Sequence, residues 1–103
     1  MRMFMKVQIP TSAGNDAIKD GSLPKVMGAT LEALDAEAAY FIAEDGMRTA
    51  LVFFEMADAS GIPPAAEPFF QELGANITLV PAMNVEEMRA GVEKAMAAAA
   101  APA

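Results

Sequence analysis

The chain has 103 residues, which is enough for one small domain and too few for two. Its net charge of −7 argues against a nucleic acid or an anionic membrane as a partner, because both require a continuous basic surface. Cysteine and histidine are absent, which excludes disulfides, thiolate nucleophiles, Cys/His zinc sites, His-ligated haem and a histidine general base. We therefore expect no cofactor, no such metal site, and a reducing cytoplasm as the location.

The chain is also more apolar than its size requires. Hydrophobic residues make up 54% of it and the mean hydropathy is +0.29, although so small a domain has only one small core to fill. This composition fits either an unusually apolar monomer or a protein whose surplus apolar face is covered by a partner. No stretch approaches the roughly 18 uncharged apolar residues of a membrane span, and the first residues do not resemble an export signal.

The N-terminal third predicts a strand followed by a helix. Apolar residues occupy every second position from Met3 to Ile9, which is the period of a strand with one apolar face, and Pro10 ends it. Residues 11–20 fit either a short helix or a loop. Helical spacing of apolar residues then predicts a helix over residues 23–34, with Ser22 as its N-cap.

The middle of the chain predicts a β-hairpin. Asp45-Gly46 separates two apolar, β-favouring runs, and this pair is the strongest short-range signal for a two-residue turn. Such a turn places Tyr40 opposite Leu51, and Ile42 opposite Thr49.

The C-terminal half predicts a helix, a strand and a further helix. Asp58 or Ser60 is expected to cap the first of these helices, Pro68 to kink or break it, and Gly74 to end it. The last strand is predicted over residues 75–83. Asn84 and Glu87 form a capping pair for the C-terminal helix. We expect a single domain over residues 1–96 and a frayed Ala-rich tail over residues 97–103.

This element order, β-α-β-β-α-β, predicts an α+β, ferredoxin-like fold with an extra C-terminal helix. Both crossovers are right-handed, so both helices lie on one face of a four-stranded antiparallel sheet with strand order 4132. The opposite face then carries large apolar side chains, namely Phe4, Tyr40, Ile42, Leu51, Phe53 and Val80. We expect a second copy of the chain to cover this face, so that two sheets pack face to face.

In these features the chain resembles the dimeric α+β barrel superfamily over roughly residues 1–96. Within it, a group of small bacterial proteins with no assigned activity is similar in three runs: Ile9-Pro10-Thr11, Lys19-Asp20-Gly21-Ser22-Leu23-Pro24 and Ala66-Glu67-Pro68-Phe69-Phe70. The resemblance implies a homodimer that closes as an α+β barrel, with any site near the sheet. The superfamily includes cofactor-free monooxygenases, muconolactone-type isomerases, haem-degrading enzymes and stress-response domains. Many of its sites depend on a histidine, and this chain has none.

Lys6, Glu55 and Tyr40 are the candidate catalytic residues. A register that places Lys6 near Phe53 brings Glu55 within reach of the Lys6 ammonium, and a Lys–Glu pair in an apolar interior is expected to shift in pKa. Glu55 then serves as a base, Lys6 as an anion stabiliser and Tyr40 as a hydrogen-bond donor. The alternative is an ion pair that only fixes the dimer register, with a tyrosine that only packs its ring.

The remaining candidates line the same face as ligand-binding residues: Phe4, Gln8, Thr49, Leu51, Phe53 and Thr78. The leading hypothesis is a homodimer that binds a small apolar or oxygenated metabolite in a cavity on the sheet. One alternative is a cofactor-independent enzyme that resembles a monooxygenase or an isomerase. Another is a purely structural or regulatory assembly domain.

Overall fold

A computed structural model describes residues 1–102 of the chain. It contains four strands and four α-helices, with a short 3₁₀ turn at Ala59–Gly61. In chain order the elements are β1 (Arg2–Ile9), α1 (Thr11–Lys19), α2 (Ser22–Ala33), β2 (Ala38–Glu44), β3 (Met47–Glu55), α3 (Ile62–Leu73), β4 (Asn76–Pro81) and α4 (Val85–Ala100). Between residues 1 and 102, no helix has the length and apolar content needed to cross a membrane.

The strands form one antiparallel sheet in the order β2-β3-β1-β4. This is the predicted 4132 order, and the α+β architecture is compatible with a ferredoxin-like fold. The hairpin register is also confirmed, since Tyr40 pairs with Leu51 and Ile42 with Thr49. Asp45 and Gly46 both have positive φ, as a type I′ turn requires. The sheet remains open, so its two outer strands, β2 and β4, are edges.

Helices α1, α2 and α3 cover one face of the sheet and enclose the core. The strands contribute alternate residues to it, and the helices contribute a smaller set that includes Met27, Phe69 and Leu73. The buried apolar residues of the strands are Met3, Met5, Val7, Ile9, Ala50, Val52 and Phe54. The other side of the sheet, here called the open face, presents Phe4, Lys6, Gln8, Tyr40, Ile42, Thr49, Leu51, Phe53, Thr78 and Val80.

Residues 11–20, for which the sequence left helix and loop open, are mostly helical. Gly14 is buried in α1 because that helix lies close to the end of the hairpin. A Cβ at position 14 would lie 2.8 Å from Arg48 Nη1 and 3.3 Å from Ile9 Cγ2. Glycine therefore allows α1 to approach the sheet, and Arg48 Nη2 donates a hydrogen bond to Asn15 Oδ1 at 3.1 Å.

Of the kink or break predicted at Pro68, the break is wrong: α3 runs without interruption from Ile62 to Leu73. Proline removes the hydrogen bond to the carbonyl four residues earlier, which belongs to Pro64. Pro64 is exposed, so water can satisfy that carbonyl. The helix ends as predicted at Gly74, whose φ of 56° is the left-handed conformation favoured there. The following strand, Asn76–Pro81, is shorter than predicted.

Phe41 departs from the expected pattern of burial. It lies on the helix side of β2, yet 60% of its surface is exposed. The reason is its position on an edge strand, where the helical layer leaves a cavity of about 370 Å³ lined by Leu23, Met27 and Phe41. The core is therefore centred on β1 and β3, the two inner strands.

Helix α4 extends away from the rest of the molecule. All of its 16 residues are exposed, and they span about 24 Å. The radius of gyration is 17.2 Å and the longest dimension is 62 Å, compared with a radius of about 13 Å for a compact chain of 100 residues. The helix includes the first part of the Ala-rich tail, as far as Ala100; position 103 lies outside the described residues, and fraying of the tail stays a prediction.

Replacement of Phe69 by alanine is predicted to destabilise the protein far more than replacement of its neighbour Phe70. Phe69 is fully buried and Phe70 is 44% exposed on the same helix. We expect Phe69→Ala to lower the free energy of unfolding by about 3–5 kcal/mol and Phe70→Ala by less than about 1 kcal/mol, measured by urea denaturation. Phe69→Leu provides a milder variant if Phe69→Ala does not fold. Equal losses at the two positions would contradict the placement of α3.

Candidate functional site

The centre of the open face is apolar. Phe4 and Phe53 pair across β1 and β3, with ring centroids 5.2 Å apart and planes tilted by 36°. On the outer strands, Ala38 pairs with Phe53 and Val80 pairs with Phe4. Leu51 lies two residues before Phe53 on β3 and on the same face. Phe4, Leu51 and Phe53 are half-buried within the monomer, whereas Val80 is 43% exposed. These side chains form an apolar surface on the side of the sheet that faces away from the core.

A polar cluster lies beside this surface and consists of Lys6, Gln8 and Glu44. Lys6 Nζ donates a hydrogen bond to Glu44 Oε1 at 3.0 Å, and Gln8 Nε2 donates to the same oxygen at 3.3 Å. The Lys6 and Glu44 side chains are 33% and 36% exposed, so water still reaches the pair. We call these three residues the Lys6 cluster.

Thr49 lies between Ile42 and Gln8 in the sheet and is only 2% exposed. Its hydroxyl donates to the Met47 carbonyl at 3.1 Å. Glu44 belongs to β2 and yet reaches Lys6 and Gln8 on β1, so its side chain crosses over β3. Thr49 therefore supports the Lys6 cluster from below rather than presenting its hydroxyl to a ligand.

The predicted contact between Lys6 and Glu55 is wrong. Lys6 pairs with Leu51 rather than Phe53, which places Glu55 four residues further along β3 and opposite Arg2. At about 3.3 Å per residue this separates Lys6 from Glu55 by roughly 13 Å. Glu55 instead lies 3.0 Å from the N-terminal amine, and its side chain is 71% exposed.

Tyr40 and Thr78 lie in the same row across the sheet as Lys6. Tyr40 on β2 pairs with Leu51 on β3, Leu51 pairs with Lys6 on β1, and Lys6 pairs with Thr78 on β4. Tyr40 is thus two strands from Lys6, or about 10 Å, and is 63% exposed. The predicted ligand-binding residues do share one face, but the three predicted catalytic residues do not converge in one subunit.

Sequence reasoning missed Glu44 as the partner of Lys6. The available signal was its position immediately before the Asp45-Gly46 turn, where a long side chain on the open face can extend over the neighbouring strand. The register between β1 and β3, which decides the partner, involves strands that are far apart in sequence, and no tight turn fixes it.

The opposite end of the open face is ionic and holds the start of α4. Arg2 lies on the same side of β1 as Phe4. Its Nη1 is 2.6 Å from Glu87 Oε1, and its Nε is 3.7 Å from Glu37 Oε2. Glu87 also completes a capping box with Asn84, as predicted. Hydrogen bonds from the Asn84 backbone N–H and from the Arg2 guanidinium lower the pKa of the Glu87 carboxyl.

A second concave surface lies on the outside of the helical layer. It is a groove of about 910 Å³ between α2 and α3, with an apolar wall that includes Val26, Ala29, Pro64 and Pro68. This groove does not include any residue of the open face. The cavity beside Phe41 is lined mainly by residues on the helix side, and Ile42 and Thr49 also border it. Within residues 1–102 there is no group of three acidic side chains placed to hold a metal ion.

Lys6 and Glu44 are predicted to be energetically coupled, whereas Lys6 and Glu55 are not. A double-mutant cycle with Lys6→Met and Glu44→Gln should give a coupling energy of about 0.2–1 kcal/mol, the range for partly exposed pairs. The matched cycle with Glu55→Gln should give a value near zero. A larger coupling for Lys6 with Glu55, measured by chemical denaturation, would contradict the observed register.

The start of α4 is predicted to weaken in acid. Folding lowers the pKa of Glu87, so its ionised carboxylate stabilises the folded state. This stabilisation is fully present above the usual glutamate pKa of about 4.3, and it is lost as the pH falls through the lowered pKa of the folded state. In an NMR titration that follows the carboxyl chemical shifts, Arg2→Met should raise the pH midpoint of the Glu87 carboxyl. Arg89→Met, which removes a cation from α4 itself, is the control. An unchanged midpoint in Arg2→Met would contradict the contact.

The open face, with its apolar centre and its Lys6 cluster, is the candidate site. No family model matches the chain, and no curated protein or solved structure matches it.

Proposed function

We propose that the chain is a homodimeric, small-ligand-binding protein of the dimeric α+β barrel type, in which two open faces enclose a shared cavity. The observation that carries this proposal is the Lys6 cluster, a half-buried set of hydrogen-bonding groups beside the apolar centre of the open face. Such a surface, in which apolar walls surround a few placed polar groups, is typical of small-molecule sites.

Burial of the open face supplies the free energy for dimerisation. Tyr40, Ile42 and Val80 are between 42% and 63% exposed, and Phe4, Leu51 and Phe53 are half-buried. Full burial of one large apolar side chain contributes about 1.5–3 kcal/mol. In the dimer, six such residues in each subunit would be buried further, and each would contribute part of that amount. The sum over both subunits is sufficient to offset an association cost of order 4–15 kcal/mol.

The ligand is expected to combine an apolar body with an oxygen acceptor. Phe4, Phe53 and Leu51 provide the apolar wall, and Lys6 lies beside Leu51 in the sheet. An ammonium group has three donors, and Glu44 accepts one of them, so Lys6 retains donors for a ligand carboxylate, carbonyl or hydroxyl. Gln8 can add a further amide donor. This chemistry fits a small apolar or oxygenated metabolite.

The two alternatives have less support. Cofactor-independent catalysis by Glu55, Lys6 and Tyr40 requires groups that lie about 10 Å or more apart within one subunit. A purely structural assembly domain leaves the polar Lys6 cluster without a role beyond fixing the register between subunits. The cytoplasmic location stays a prediction.

The test measures the oligomeric state and ligand binding together. Light scattering at micromolar concentration should give the mass of a dimer for the unmodified chain and that of a monomer for Leu51→Glu, which places a charge at the centre of the open face. Ile18→Glu is the matched control, because Ile18 is 50% exposed on α1 in the helical layer. We expect it to remain dimeric.

Ligand binding is probed with anilinonaphthalene sulfonate, an apolar anion whose fluorescence rises in an apolar site. Lys6→Met should weaken its binding by about tenfold, whereas Lys19→Met, at the end of α1, should leave it unchanged. A monomeric unmodified chain would contradict the proposal. A dimer whose binding is equal in both lysine variants would instead favour an assembly domain.

A further inference from the structure

Helix α4 has an apolar side that no other part of residues 1–102 buries. Val85, Met88, Val92 and Met96 recur at spacings of three and four residues, so they lie along one side of the helix. Between 44% and 62% of the surface of each is exposed. Charged residues, among them Glu86, Arg89, Glu93 and Lys94, occupy other positions of the helix.

The start of α4 is fixed at the rim of the open face. Arg2 lies on that face by the alternation of β1, and its guanidinium holds Glu87 in the first turn of α4 at 2.6 Å and the Ala82 carbonyl at 3.4 Å. The capping box at Asn84 fixes where the helix begins. From this point α4 extends outward, since all of its residues are exposed and the molecule is 62 Å long.

We infer that α4 is an arm that packs its apolar side against a second copy of the chain seated on the open face. This inference rests on the homodimer of the proposed function and extends the interface beyond the sheet. Because the arm begins at the rim of that face, a copy that covers the face has the arm beside it, and the two-fold axis makes the contact reciprocal.

The size of the two surfaces supports a second copy as the occupant. Four strands about 4.8 Å apart and about six residues long give the open face an outline of roughly 19 by 20 Å. One side of α4 adds an outline of roughly 24 by 10 Å. The arms therefore increase the contact area by more than half of the area of the open face. This brings the contact closer to the roughly 800 Å² per partner that is typical of a stable interface.

The stability of the helix gives a second reason. Isolated helices shorter than about 12–15 residues are marginal in water, and most helices in proteins depend on tertiary packing of an amphipathic side. Helix α4 is only slightly longer than that limit, at 16 residues, and none of its residues is buried. Contact with a partner would supply the tertiary packing that normally maintains an amphipathic helix. Its amides should therefore become protected from exchange as the dimer forms.

The test places one charge on either side of the arm. Val92→Glu puts a carboxylate on the apolar side, and Ala90→Glu puts the same group on the opposite side of the same helix. Sedimentation equilibrium should show a dissociation constant raised about tenfold or more by Val92→Glu and unchanged by Ala90→Glu. Met88→Glu provides a second variant on the apolar side, and circular dichroism checks that the helical content is retained.

The outcomes separate this inference from the proposed function. If the unmodified chain is a monomer, the homodimer fails and the arm inference fails with it. If the unmodified chain is a dimer that all three variants leave intact, the arm inference is overturned while the sheet-to-sheet dimer stands. Hydrogen exchange gives an independent readout, because protection of residues 85–100 should rise with protein concentration. Rapid exchange of that segment in the dimer would also overturn the inference.

Discussion

The placement of three helices on one side of a four-stranded sheet is the constraint on which the rest of the structure depends. Right-handed crossovers leave the second face without a cover from the same domain. The chain places Phe4, Leu51 and Phe53 on that uncovered face, although a face intended for water needs no large apolar side chains. Its composition, 54% hydrophobic, reflects this second apolar surface as well as the core.

Charge on this face is arranged so that each cation has an acid beside it. Lys6 lies against Glu44, Arg2 lies between Glu37 and Glu87, and the terminal amine lies against Glu55. Other acids, in contrast, lie in the helical layer on the far side of the sheet: Asp16, Glu32, Glu67 and Glu72 are exposed on α1, α2 and α3, and Asp20 is exposed directly after α1. In the proposed dimer, in which two copies meet through their open faces, these acids would lie far from the partner, and the repulsion between two chains of net charge −7 would be reduced.

The sequence predicted what local rules determine. The Asp45-Gly46 turn fixed the hairpin register, and the Asn84 capping box and Gly74 marked the ends of helices. The alternation of apolar residues along β1 predicted which side chains face the core and which lie on the open face. In each case the deciding interaction lies within a few residues of the signal, so a short stretch of sequence is sufficient.

The candidate site was predicted less well because it depends on contacts between distant segments. Hydrophobic alternation specifies which side of β1 faces the core, but a shift of two residues against β3 preserves that alternation and changes every partner. Such a shift separates Lys6 from Glu55 and leaves Glu44 as its acid. The exposure of Phe41 has a similar origin, because strand alternation does not reveal how far the helical layer extends over an edge strand.

The corrected partner of Lys6 changes what the open face can do chemically. Glu44 reaches Lys6 from the end of the hairpin and also accepts from Gln8, so a single carboxylate orients both donors. Thr49 beneath them keeps its hydroxyl on the Met47 carbonyl. A carboxylate that already accepts two hydrogen bonds from donors of its own chain is better placed to position those donors than to remove a proton from a ligand. The proposed recognition of a ligand oxygen therefore fits the geometry of the Lys6 cluster better than general-base catalysis does.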